Sequence, residues 1–184
     1  MTGTVHPFRV FTAAKARVSK LDISAAMACL HAPNGTCHNA QGNSGWNQGV
    51  LNAALLGDAD MAYRFVASRA ASSPAAGYRF AGFAAHYQDS QPSADHFANM
   101  NSAVNWMLLQ PADDGFANAT IVLLPAWPCH LSVSFKLFAP GGVQVELEYK
   151  GSGSTSHALG EVLSLLVTPA SRRGNVVFAN CVAG

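Results

Sequence analysis

The chain of 184 residues carries 11 basic and 10 acidic side chains, a formal net charge of +1, with 49% hydrophobic and only 11% charged residues. That balance excludes a basic face for nucleic acid and an acidic tail, and it points to a neutral or small ligand. The length suffices for one ordinary domain or two small ones with a core, and no stretch approaches the ~18 apolar residues of a membrane span.

Met1 to Val10 lacks the continuous apolar centre of a signal peptide, so no export signal is expected and localisation stays open. Cys29, Cys37, Cys129 and Cys181 are too few and too scattered for a disulfide framework, although Cys29 and Cys37 can bridge across the loop between them. Asn34-Gly35-Thr36 and Asn118-Ala119-Thr120 fit the N-glycosylation pattern, which is short enough to arise often by chance.

Before Pro111 the period is helical. Asp22 caps a short helix over Ile23 to Leu30. Ser44-Gly45 opens a second, Trp46 to Leu56, which Gly57 ends. Asp58 caps a third that runs to Ser72, with Met61, Phe65 and the flanking Ala62, Val66 and Arg69 on one face, so Gly57-Asp58 makes a tight helical hairpin. Ser73 to Ala94 is a long irregular stretch holding Tyr78, Phe80, Phe83, His86 and Tyr87; loops of that length are usually functional or disordered, and so many aromatic side chains argue against disorder. A fourth helix is expected from about Ala98 to Gln110, with Met100, Val104, Met107 and Leu108 on one face.

Beyond Pro111 the period becomes that of strands: Thr120 to Leu124, Leu131 to Phe138, Val143 to Lys150, Gly160 to Thr168 and Asn175 to Cys181. Val143, Val145, Leu147 and Tyr149 alternate with Gln144, Glu146, Glu148 and Lys150, a strand with one wet face. The expected fold class is α+β, helices in residues 1–112 followed by a small antiparallel β-sheet or sandwich in 113–184.

The ten acidic residues divide by elimination. Asp22, Asp58 and Asp60 sit at helix starts, Asp113 and Asp114 in a turn, and Glu146, Glu148 and Glu161 on strands. Asp89 and Asp95 remain beside the aromatic loop. Aromatic faces that stack on a pyranose and a carboxylate that handles a hydroxyl or a proton make a sugar site, while a capping role for Asp95 and a solvated loop for Asp89 are the plainer alternatives. Trp46, followed by the amides Asn47 and Gln48, is either part of such a wall or a core anchor; Trp127 is expected to pack the β-domain against the helices, and His6 and His96 are ordinary polar residues by default. Cys29, His31, Cys37 and His38 are zinc-type ligands at spacings that fit no common finger, and phosphate-loop, nucleophile-elbow and His-Glu-x-x-His motifs are missing from the sequence. Neither a metal nor a cofactor is expected.

In order along the chain, Gly45-Trp46, Leu55-Leu56-Gly57-Asp58-Ala59-Asp60-Met61-Ala62-Tyr63-Arg64, Asp95 ahead of Met107-Leu108-Leu109-Gln110, and Leu123-Leu124-Pro125-Ala126-Trp127-Pro128 resemble the C-terminal part of glycoside hydrolase family ninety-five, the α-L-fucosidases and related α-L-galactosidases. The resemblance implies that residues 1–112 are the end of a helical (α/α) toroid, a partial ring of about four helices, and that 113–184 are the closing β-domain. His6-Pro7-Phe8 looks like the end of the family's histidine-rich segment. The family inverts configuration with a glutamate acid early in the toroid and a water held by an asparagine that an aspartate polarises.

Asp95 matches that aspartate, with Trp46, Asn47, Asp89 and His96 as candidates for the sugar-facing wall. The family's glycine-rich run after the aspartate is here His96, Phe97, Ala98 and Asn99. The acid and the asparagine have no counterpart in the chain, so it is expected to be a fragment that is inactive alone. Its partners would be a carbohydrate and either the rest of the toroid or a second copy through exposed helical faces, with no nucleic acid and no membrane. The alternative is a non-catalytic carbohydrate-binding or interaction module.

Overall fold

The structure, a computed structural model, describes residues 20–31, 48–70, 94–112, 119–154, 158–179 and 181–182. Its helices are α1 (Lys20–His31), α2 (Gly49–Leu56), α3 (Ala59–Ala70) and α4 (Ala94–Leu108). Its strands are β1 (Leu109–Pro111), β2 (Ile121–Leu123), β3 (Val133–Ala139), β4 (Val143–Lys150), β5 (Glu161–Thr168) and β6 (Val176–Phe178), with a 3₁₀ turn at Ala170–Asn175. Mixed α+β architecture is the outcome, with four helices and two small sheets among the described residues.

The hairpin at Gly57-Asp58 forms as its residues dictate. Gly57 takes φ 78°, a left-handed value that glycine adopts without penalty, and its N–H closes α2 on the Ala54 carbonyl at 3.1 Å. Asp58 then caps α3, its Oδ1 accepting the Met61 N–H at 3.0 Å, while its Oδ2 lies 2.6 Å from His31 Nε2 at the end of α1. Apart from Leu51, every residue of α2 is buried, a helix with no wet side. Its alanines Ala53 and Ala54 pack with Leu30, Met61, Ala62 and Met107, small side chains that allow close helix approach.

The fourth helix differs at both ends from its sequence expectation. It starts at Ala94, so Asp95 lies inside its first turn rather than ahead of it. It stops at Leu108 because Pro111 biases the residue before it away from helical geometry. Leu109–Pro111 instead pair with β2 in antiparallel register, Leu109 opposite Leu123 and Pro111 opposite Ile121.

The sheets run β1-β2-β6 and β3-β4-β5. The purely antiparallel expectation is corrected: β6 is parallel to β2, Ile121 opposite Val176 and Leu123 opposite Phe178. After β5 the chain crosses to the other sheet through the 3₁₀ turn and so enters β6 in the direction of β2; the Arg172 guanidinium fastens the crossover by donating to the Ala119 carbonyl at 3.0 Å. In β4 the alternation holds as expected, with Val143, Val145, Leu147 and Tyr149 buried between the sheets.

Two of the cysteines judged too scattered for a disulfide framework are nevertheless bridged. Cys129 and Cys181, 52 residues apart, form a disulfide with Cα atoms 4.9 Å apart. Cys29 is disulfide-bonded as well, while Cys37 lies outside the described residues. The buried Tyr149 hydroxyl sits beside the bridge, donating to the Cys129 carbonyl at 2.8 Å with the Cys181 carbonyl at 3.2 Å. A Cβ on Gly160 would run into that phenol ring, which fixes glycine there.

Closing a loop of that length makes the bridge stabilising, by about 2–4 kcal/mol. A Cys129→Ser, Cys181→Ser double variant is expected to lose that much in urea unfolding, with the midpoint lowered and the slope raised, because the unfolded chain without the cross-link exposes more surface. Burial raises the Tyr149 pKa above the usual tyrosine value. The unfolded chain therefore ionises first on the alkaline side: the Tyr149 contribution is complete below pH ~10 and is lost as pH rises through the folded pKa. The melting temperature should fall above pH ~10, and Tyr149→Phe should flatten that fall while lowering stability by about 1 kcal/mol at neutral pH.

Candidate functional site

Helix α4 carries the two sequence candidates within the described chain. Asp95 and His96 occupy consecutive positions in its first turn, and its last turn lies ~20 Å away at the helix–sheet joint. Trp46, Asn47 and Asp89 lie outside the described residues. No contact among the five candidates is therefore among those described.

Among the described residues, Asp58, Asp60 and the glutamates have structural or solvated positions. Asp58 caps α3 and meets His31, and Asp60 is exposed in the same first turn. All three glutamates of the chain lie on the outer sheet. Glu146 pairs with Lys136 at 3.0 Å and accepts from the Gln144 amide at 2.8 Å, and Glu148 and Glu161 are exposed. The zinc-type set also dissolves: the Cys29 sulfur is in a disulfide, His31 is engaged by Asp58, and Cys37 and His38 lie outside the described residues.

Sequence reasoning missed Asn52. Gln48 precedes α2 and Asn52 follows one turn later on the same face, both just after Trp46 and Asn47. Gln48 Oε1 and Asn52 Oδ1 are buried acceptors without a hydrogen-bond partner, and Asn52 is 1% exposed. Buried amide oxygens are normally satisfied, so two on adjacent turns mark a place that suits a donor such as a hydroxyl. The available signal was an amide recurring four residues on in an otherwise apolar helix.

Asn52→Leu separates the two uses of that amide. Replacing an unsatisfied buried acceptor by an apolar side chain of similar size should leave stability unchanged or raise it by about 1 kcal/mol, measured by urea unfolding, and should weaken any sugar binding. A loss of several kcal/mol would show that the amide serves the fold instead.

Compared with protein-family models, curated proteins and solved structures, the chain gives no match.

Proposed function

We propose that the chain supplies the water-activating side of an inverting, α-L-fucosidase-like glycoside hydrolase site. Asp95 is the carboxylate that polarises the asparagine holding the attacking water, and Trp46, Asn47, Asp89 and His96 form the sugar-facing wall. Residues up to about 112 would be the last helices of an (α/α) toroid and the remainder its closing β-domain. The support is the position of Asp95 at the N-terminal turn of α4, the helix that leads into the β-domain.

An inverting reaction needs a proton for the leaving oxygen on one face while water attacks from the other. Asp95 provides for the second requirement only. In this reading the acid comes from another part of the toroid. Without general acid assistance, worth about 10²–10⁴-fold, the 184 residues should not turn over an aryl glycoside.

The test combines a rate with an affinity. The purified chain should release no nitrophenol from p-nitrophenyl α-L-fucoside or α-L-galactoside above background, and should bind L-fucose, read from the shift of the His96 backbone amide at the start of α4, with about tenfold weaker affinity in Asp95→Ala. Turnover by the chain alone, or an Asp95→Ala variant with unchanged L-fucose affinity, would remove the proposal.

A further inference from the structure

A second place on the molecule suits a small ligand and stands apart from Asp95. Strands β1 and β3 are edges of their respective sheets, and the last turns of α4 lie over the gap between them. There Asn105, Trp106, Leu109, Leu137, Phe138 and Pro140 line a cavity of about 190 Å³. Phe138 is 73% exposed, more than any other large apolar side chain among the described residues. Its neighbour on the outer face, Lys136, is already paired with Glu146.

We infer that this cleft binds one neutral pyranose ring, stacked on the aromatic side chains with a hydroxyl on the Asn105 amide. The lining selects the ligand class. Among the described residues its lining has no ionisable side chain, so a phosphate, carboxylate or cation finds no countercharge on them. Its volume lies below the range of pockets for drug-sized molecules and suits a single ring. Aromatic and proline surfaces match the C–H face of a sugar, and Asn105, exposed at the end of α4, offers both a donor and an acceptor to the hydroxyl edge. Trp106 lies ~16 Å along α4 from Asp95, so one monosaccharide cannot touch both.

The experiment titrates the ¹⁵N-labelled full chain with methyl α-L-fucopyranoside and methyl β-D-galactopyranoside. The Asn105 side-chain amide and the Trp106 indole N–H should shift saturably at millimolar sugar. Phe138→Ala, whose exposed ring leaves the melting temperature unchanged, should weaken that response about tenfold, and Asp95→Ala should leave it intact. Unmoved Asn105 and Trp106 signals, an unchanged affinity in Phe138→Ala, or equal binding of cyclohexanol would overturn the assignment. So would concentration-dependent dimerisation abolished by Phe138→Ala, because the cleft would then seat a second copy. Sugar binding lost in Asp95→Ala but kept in Phe138→Ala rejects the cleft and leaves the Asp95 proposal standing; the reverse pattern supports the cleft whatever the glycosidase assay gives.

Discussion

The structure depends on how the end of α4 is closed. The last carbonyls of a helix have no partner within it, and burying them unpaired is costly. Here the turn after β2 supplies the donors: Leu124 N–H to the Leu108 carbonyl at 2.8 Å and Ala126 N–H to the Met107 carbonyl at 3.2 Å. To reach that position Leu124 takes φ 55°, a left-handed conformation that costs a branched residue about 1–3 kcal/mol. The surroundings hold it there, because its side chain is fully buried in the β-domain core. Gly57 completes the joint from the helical side, since a Cβ on it would sit 3.2 Å from the Pro125 carbonyl oxygen.

From this joint the division of the core follows. Met107 and Leu108 are adjacent in sequence yet face different clusters, Met107 among the helices and Leu108 among the strands. Trp127 packs on both and ties itself down by donating its indole N–H to the Leu131 carbonyl at 2.9 Å. β1 precedes residue 112 but is hydrogen-bonded to β2 beyond it, so backbone pairing spans the helical and strand-rich parts of the sequence.

Elements whose determinants are local were legible in the sequence. The Gly57-Asp58 hairpin needs only a left-handed residue followed by a cap, and β4 announces itself by alternation over eight residues. Trp127, expected to pack the strand-rich part against the helices, does lie against both cores. What escaped depends on distant partners. β1 is three residues long and becomes a strand only because β2 lies beside it. The parallel β2–β6 pair depends on a crossover held by Arg172, and the Cys129–Cys181 bridge on a fold that brings together residues 52 apart. The candidate site was legible only as far as Asp95 and its helix, because the aromatic loop has no periodicity from which a geometry can be derived.

The interior amides decide where function is to be sought. Gln110, 2% exposed, spends both N–H bonds on structure, donating to the Ala54 carbonyl at 2.8 Å and the Trp106 carbonyl at 2.7 Å, and so clamps α2 to the end of α4. Gln48 and Asn52 are the same chemical group with the opposite account, burying acceptors that the fold leaves unused. An apolar side chain at either position would fill the space without the desolvation cost of about 1–3 kcal/mol per unsatisfied group. Gln110 belongs to the scaffold, whereas the Asn52 and Gln48 carboxamide oxygens accept no hydrogen bond from the described residues.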